Sequence, residues 1–164
     1  MLNRPLAGAL ALALCAAAAS TNALAQTPGL WRYTIVTDLA LIPVDMKVNF
    51  PTIEFSVCRT AADFATGHAF ALQTAEGSAE RCPSGGFVRT PPAIGSPPGQ
   101  GELLTFAYAC DGGKTLSGLG QGSVHSTRFT VNLESRYSPP VGGVNVVKQT
   151  MSARRVGSCK AQPN

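Results

Sequence analysis

The segment Pro28–Asp38 constrains the fold of this chain more than any other stretch. It holds the only tryptophan, Trp31, and its side chains alternate between apolar and polar from Trp31 to Ile35. Alternation with a period of two residues is typical of a strand with one buried face. Pro28 and Gly29 mark its start, because proline cannot donate to a strand ladder. We therefore expect a β domain whose later strands are added around the indole of Trp31.

The first 25 residues have the pattern of an export signal. Arg4 is followed by the uncharged Ala/Leu run Leu6–Ala19 and then by the small-residue site Ala23-Leu24-Ala25. This pattern predicts a signal peptide cleaved before Gln26, since the apolar run is shorter than the ~20 residues that span a bilayer. We expect a signal peptide over residues 1–25, a single exported β domain over 26–164, and a periplasmic location.

The composition of the mature chain favours short strands and many turns. Removing residues 1–25 from the 164-residue chain leaves 139 residues, with 12 basic and 9 acidic side chains. The basic residues are scattered, only Arg154 and Arg155 are adjacent, and no basic run is interleaved with aromatic residues. This argues against a nucleic-acid partner. In the full 164-residue chain, the 17 glycines, the 12 prolines and a charged fraction of 13% also argue against a helical bundle.

Six later segments also have strand character, and one short helix is indicated between the second and third strands. Thr60 followed three residues later by Asp63 is typical of a helix N-terminus. Pro91–Gly101 is rich in proline and glycine and is expected to be an irregular loop, and Asp111-Gly112-Gly113 a tight turn. The further predicted strands are Thr52–Cys58, Gly86–Thr90, Glu102–Cys110, Thr115–His125, Arg128–Tyr137 and Val144–Val156.

These elements predict a mainly β fold of about seven antiparallel strands in a curved meander. A sheet with one apolar face must curl on itself or be covered, so we expect closure into a barrel or half-barrel with the last strand beside the first. A two-sheet sandwich is the alternative. Gly118, Gly120 and Gly122 lie on one face of the fifth strand, where they leave room for a bulky ring such as Trp31.

Four cysteines remain after cleavage, and an even number in an exported chain predicts two disulfides. A metal site is disfavoured because no Cys-x-x-Cys pair occurs and the cysteines lie more than twenty residues apart. If the third and fourth strands form a hairpin and the chain crosses the sheet after the second, the pairs are Cys82–Cys110 and Cys58–Cys159. A simpler path pairs Cys58 with Cys82 and Cys110 with Cys159.

Motifs at both ends of the mature chain resemble those of a known family. They are the opening Pro28-Gly29-Leu30-Trp31, the segment Val57-Cys58-Arg59-Thr60 and the closing Arg154-Arg155-Val156-Gly157-Ser158-Cys159. The mature chain is similar to the small exported bacterial proteins grouped as domain-of-unknown-function 3617. Two departures are the long proline-rich loop and the scarcity of methionine, which weakens any thioether metal site. The resemblance implies export but no activity.

Catalytic motifs are missing from the sequence. The segment Asp111–Thr115 ends like a phosphate-binding loop, but Tyr108 stands where that motif requires its first glycine. A triad of Ser123, His125 and Glu134 can be imagined, yet nothing in its spacing demands one. We expect a protein that is not an enzyme and that holds no cofactor and no metal.

The predicted function is the binding of a small apolar or amphiphilic molecule inside the sheet, as other small barrels do. Inward aromatic side chains and an adjacent arginine pair, one on each face of the last strand, motivate this. The alternative is a cell-envelope interaction or assembly protein that acts through a sheet edge or the proline-rich loop; a hydrolase is the third hypothesis. The candidate ligand-binding residues are Trp31, Phe106, Tyr108, Phe129, Arg154 and Arg155.

Overall fold

The computed structural model describes residues 25–49, 51–71, 84–110 and 113–159. Most of the predicted signal peptide, the turn residues 111–112 and Cys82 lie outside these ranges. Seven strands, one short α-helix and three 3-10 turns are described. The strands are β1 (Gly29–Thr37), β2 (Ile53–Arg59), β3 (Ser84–Thr90), β4 (Glu102–Cys110), β5 (Leu116–Val124), β6 (Arg128–Val141) and β7 (Val144–Gly157). The helix α1 is Ala61–Ala65, and the turns are Leu39–Leu41, Val44–Asn49 and His68–Phe70.

All seven strands belong to one antiparallel sheet in the order β2-β1-β7-β6-β5-β4-β3. This confirms the predicted number of strands and their antiparallel meander. The last strand lies beside the first, with Ala153 of β7 opposite Tyr33 of β1. The described strands form one sheet rather than two, so the sandwich alternative is wrong.

The sheet is not closed into a barrel, and the prediction of closure is wrong. Closure requires β2 to pair with β3, yet these strands stand at opposite ends of the strand order. The chain leaves β2 directly into α1 and then into the 3-10 turn His68–Phe70. Phe64 of α1 and Phe70 of the turn are buried in the main core. This segment therefore covers apolar surface that a closed ring of strands would have enclosed by itself.

One face of the sheet, called the inner face here, carries the apolar side chains of each strand. Trp31 lies on this face, with its ring 5.0 Å from that of Phe64 and 5.9 Å from that of Phe129. Phe70 meets Phe129 edge-on at 5.0 Å. Aromatic side chains bury large areas and pack with preferred ring geometries, so this cluster dominates the stability of the fold. The opposite, outer face carries mostly polar side chains.

The glycines of β5 lie beneath aromatic rings, as their spacing indicates. Phe106 of β4 pairs with Gly120, and Tyr108 pairs with Gly118. A Cβ atom added to either glycine would overlap the ring of its partner. The rings that occupy the groove therefore belong to the neighbouring strand β4 rather than to Trp31.

The hairpin between β6 and β7 turns later than predicted. Pro139 and Pro140 follow the predicted strand Arg128–Tyr137 but lie within β6, and the turn itself is Gly142-Gly143 with positive φ angles of 56° and 81°. The pairing of β6 with β7 is irregular between Arg136 and Val141. Prolines, which lack an amide proton, are tolerated where the ladder is interrupted.

The structure contains the disulfide Cys58–Cys159, with the two Cα atoms 5.7 Å apart. This confirms one of the two predicted bridges and excludes the alternative pairing, which assigned both cysteines to other partners. Cys110 is not a free thiol. Because Cys82 lies outside the described residues, the Cys82–Cys110 bridge stays a prediction.

Candidate functional site

A cleft of about 390 Å³ lies where the α1 segment meets strands β3 and β4. Phe64, Phe70 and Leu104 contribute buried apolar surface to it, and Phe87 of β3 contributes a half-buried ring. The cleft is thus an opening of the core surface beside the edge strand β3. The remaining residues of the predicted mature chain that line it are Gln26, Ala61, Ala65, Gly67 and Arg89, and Ala25, the last residue of the predicted signal peptide, also borders it.

Gly67 allows the α1 segment to approach β3 closely. It has a left-handed conformation (φ 79°) immediately before the 3-10 turn, which glycine adopts without steric cost. The ring of Phe87 lies against Gly67, and a Cβ atom there would overlap that ring. Phe87 also stacks on Phe106 at 5.0 Å, so its position is fixed from both sides.

A capping box fixes the start of α1 at Thr60, as predicted. The Thr60 hydroxyl accepts a hydrogen bond from the Asp63 amide at 3.2 Å, and the Asp63 carboxylate accepts one from the Thr60 amide at 2.7 Å. Nδ1 of His68, in the 3-10 turn, lies 3.5 Å from this carboxylate. Burial opposes ionisation of Asp63, but hydrogen bonds from Thr60 and the nearby Arg59 charge lower its pKa.

A buried polar contact ties the α1 segment to β1. The Tyr33 hydroxyl donates to the Ala69 carbonyl at 3.0 Å and accepts from Nε of Arg59 at 2.8 Å. The Arg59 guanidinium also lies 5.1 Å from the centre of the Tyr33 ring. Burial raises the pKa of Tyr33 to about 12, although the Arg59 charge acts in the other direction. Tyr33 therefore stays a neutral hydroxyl that holds the segment in place at any physiological pH.

The cleft also has polar groups at its border. Nη2 of Arg89 lies 2.6 Å from Oε2 of Glu102, and the Glu102 side chain is only 5% exposed. The amide of Gln26 donates to the His125 carbonyl at 3.4 Å. The attraction between opposite charges, as in the Arg89–Glu102 ion pair, is stronger where water is scarce. The cleft thus combines an apolar lining with an ion pair at its border.

The four aromatic residues that the sequence singled out lie in the core rather than on the cleft surface. Trp31, Phe106, Tyr108 and Phe129 are at most 3% exposed. Three of them contact rings that do line the cleft: Trp31 meets Phe64, Phe129 meets Phe70, and Phe106 meets Phe87. They therefore support the lining from behind. The sequence pattern did not identify the lining residues Phe64, Phe70 and Phe87, because their segments lack strand alternation or are short.

Arg154 and Arg155 point to opposite sides of β7 and are not brought together. Arg155, opposite Trp31, is the member of the pair on the inner side, and it forms no ion pair among the described residues. Its Nε instead donates to the Pro28 carbonyl at 2.9 Å, at the start of β1. Arg154 is exposed on the outer face, opposite Arg32.

The three residues of the imagined catalytic triad are only partly assembled. Ser123 and His125 approach each other, with 3.3 Å between Oγ and Nε2. Burial and the neighbouring Arg128 charge lower the pKa of His125. The carboxylate of Glu134 instead pairs with Arg136 at 3.0 Å and with Lys148 at 3.8 Å. These contacts use Glu134 in a charge cluster on the outer face.

Neither a metal-ligand cluster nor a membrane-spanning helix is found in the described part of the chain. No group of three or more His, Cys, Asp or Glu side chains in those residues is arranged to hold a metal ion. No described helix has the length and apolar character needed to cross a bilayer.

The fold and the cleft define a class: an open, seven-stranded antiparallel sheet whose inner face is covered by a helical segment from the connection between β2 and β3. The chain belongs to the family described as "Protein of unknown function (DUF3617)", whose model matches residues 26–159. This confirms the resemblance drawn from the sequence. No curated protein and no solved structure matches the chain.

Proposed function

We propose that the mature chain is a non-catalytic periplasmic protein that binds a small apolar or amphiphilic molecule in the cleft beside β3. The observation that carries this proposal is the cleft itself, whose volume of about 390 Å³ is lined mainly by aromatic and aliphatic side chains. Small-molecule sites commonly combine such a lining with a few placed polar groups. Two other concavities lie on the outer face, and polar side chains line most of each.

The cleft has both apolar and charged lining residues, which favours an amphiphile over a purely apolar molecule. The rings of Phe64, Phe70 and Phe87 suit a hydrocarbon chain, because burying apolar surface is favourable by roughly 25 cal/mol per Å². The cationic guanidinium of Arg89 lines the same cleft. An amphiphile could place a carboxylate or another polar head group near Arg89 while its hydrocarbon chain contacts the aromatic rings.

Export is the second part of the proposal, and two observations support it. The family match begins at residue 26, directly after the predicted cleavage site. The disulfide Cys58–Cys159 is of a kind that persists in oxidising compartments such as the bacterial periplasm.

Fluorescence titration with a dansyl-labelled fatty acid tests the site. Trp31 is the sole tryptophan, and its ring contacts Phe64 of the cleft lining, so energy transfer from Trp31 reports a dansyl group bound nearby. We expect saturable transfer in the wild-type protein. The variant Ala65→Phe places a ring in the cleft and should weaken the affinity by about tenfold or more.

Ala62→Phe is the matched control, because Ala62 is an exposed residue of the same helix that does not line the cleft. Its affinity should stay within about twofold of wild type. Equal loss in both variants, or no saturable transfer at all, would contradict the proposal. Native mass spectrometry of protein from its own cell envelope then identifies the natural ligand as extra mass that disappears on denaturation.

The alternative proposal is an envelope interaction or assembly protein. It is favoured by the open sheet, because β2 and β3 are both edge strands in the described topology, and such edges can accept a partner strand. The proline-rich loop exposes Ile94 completely. A photo-crosslinking residue at Ile94 or Val88 of β3, compared with one at Leu119 on the outer face, tests it in cells. A reproducible adduct from either of the first two sites supports the alternative proposal, and the absence of any adduct from both sites contradicts it.

A further inference from the structure

Three arginines form a row across the outer face of the sheet. Arg32 of β1 lies directly opposite Arg154 of β7, which in turn lies directly opposite Arg128 of β6. Opposed Cα atoms in antiparallel strands are about 4.5–5.5 Å apart, so this arginine row spans about 10 Å between its outer Cα atoms. All three side chains are exposed.

None of the three arginines forms an ion pair in the part of the chain that the structure describes. The ion pairs found among the described residues join other side chains. Glu54 lines the same concavity, but its strand position is opposite Thr34 rather than opposite an arginine. Like charges that face each other across strands destabilise a sheet, and here three do so in succession. An anion bound between them would remove this repulsion.

A row of hydroxyl groups runs parallel to the arginine row. Thr34 of β1 is opposite Ser152 of β7, which is opposite Thr130 of β6. Each lies two residues from the arginine of its own strand, so both rows face the same side. A concavity of about 340 Å³ is lined by members of both rows. It therefore presents guanidinium and hydroxyl donors together on rigid strands.

We propose that the arginine row binds a phosphate group, either free or as part of a larger molecule. Guanidinium groups offer a planar fork of donors that matches phosphate oxygens, and adjacent hydroxyls can donate to the remaining oxygens. The span of about 10 Å lets two neighbouring phosphates bind at once, so a diphosphate is the best small probe. The site is on the opposite face from the cleft and does not depend on the proposed function.

Calorimetric titration of the folded, oxidised protein with inorganic pyrophosphate at low salt tests this site. We expect binding that weakens as sodium chloride is added, because the contacts are solvent-exposed. Arg154→Gln removes the central arginine and should weaken binding by about tenfold or more, since hydrogen bonds to charged groups are strong. In the absence of ligand, Arg154→Gln should melt no lower than wild type, because it relieves repulsion within the row.

Arg136→Gln is the matched control. It removes the same charge from the outer end of β6, about 26 Å along the strand from Arg128, and should change the affinity by less than about twofold. Equal weakening in both variants would show a general charge effect and overturn the site.

Sedimentation with phosphatidylglycerol vesicles, compared with phosphatidylcholine vesicles, identifies the source of the phosphate. Arg154-dependent binding to the anionic vesicles supports a lipid head group, and binding to pyrophosphate alone supports a soluble ligand. Binding to neither probe refutes the proposal.

Discussion

Removal of the Cys58–Cys159 disulfide should destabilise the domain by several kcal/mol. The bridge joins the end of β2 to the chain just beyond β7, across β1, whose Leu30 lies between Cys58 and Gly157 in the sheet. It closes a loop with a sequence separation of 101 residues. For a loop of that length, the chain-entropy model gives a stabilisation of about 4.7 kcal/mol at 25 °C. For a domain of this size, that corresponds to a fall in Tm of roughly 15 °C.

The double variant Cys58→Ala/Cys159→Ala provides the assay, because a single variant would leave a free thiol able to attack other bridges. Urea unfolding followed by circular dichroism gives the midpoint and the slope m for both proteins. Hydrogen exchange should rise most in β2 and α1, since the bridge anchors this edge strand two residues before the Thr60 cap. A double variant that melts within about 3 °C of wild type would refute the reasoning, because the sheet alone would then hold the edge strand.

Three further substitutions test contacts that position the cleft. Tyr33→Phe leaves Arg59 without a buried hydroxyl partner and should lower the free energy of unfolding by about 1.5–3 kcal/mol, measured by urea unfolding. Gly120→Ala places a methyl group against Phe106 and should cost about 1–3 kcal/mol in the same assay. Asp63→Asn should lower the unfolding midpoint at pH 7. Because the pKa of Asp63 is lowered in the folded state, its contribution to stability is present above pH 3.8 and is lost as the pH falls through the folded-state pKa. The unfolding midpoints of the variant and the wild type should therefore converge in acid.

Matched variants separate these effects from general damage. Tyr137→Phe removes a hydroxyl from a half-buried tyrosine that makes no side-chain hydrogen bond to any described residue, and it should be nearly neutral. Gly157→Ala adds a methyl group at a strand position where the new Cβ would have no neighbouring atom within 4 Å. This variant should not destabilise the protein. Equal losses in Tyr33→Phe and Tyr137→Phe would contradict the role given to the Arg59 contact. A stable Gly120→Ala, or a pH-independent effect of Asp63→Asn, would contradict the other two.

Local patterns in the sequence predicted the parts of the fold that depend on neighbouring residues. Alternation identified β1, β2, β4 and β6 because one face of each strand is apolar. The Thr60–Asp63 spacing identified the start of α1, since a capping box needs only residues three apart. Chain order led to the Cys58–Cys159 pair, because β7 returns beside β1 and brings both cysteines to one end of the sheet.

The failures concern contacts between segments that are distant in sequence. Whether β2 meets β3 depends on the path of the segment between them, and burial of Phe64 and Phe70 is not encoded in any short period. The arginine row has the same origin. Alternation places each arginine on the outer face, but only the register of three strands shows that they are directly opposite one another.

The open sheet edge and the candidate cleft are consequences of one structural choice. After β2 the chain turns inward as α1, so Phe64 and Phe70 cover the core and β3 is left as an edge. On the β2 side this segment is held by the disulfide two residues before its cap and by the Tyr33 hydroxyl. On the β3 side the contact is the ring of Phe87 against Gly67, and the cleft lies at this junction. A barrel closed by pairing β2 with β3 would have no such junction, so the open sheet is what creates the candidate cleft.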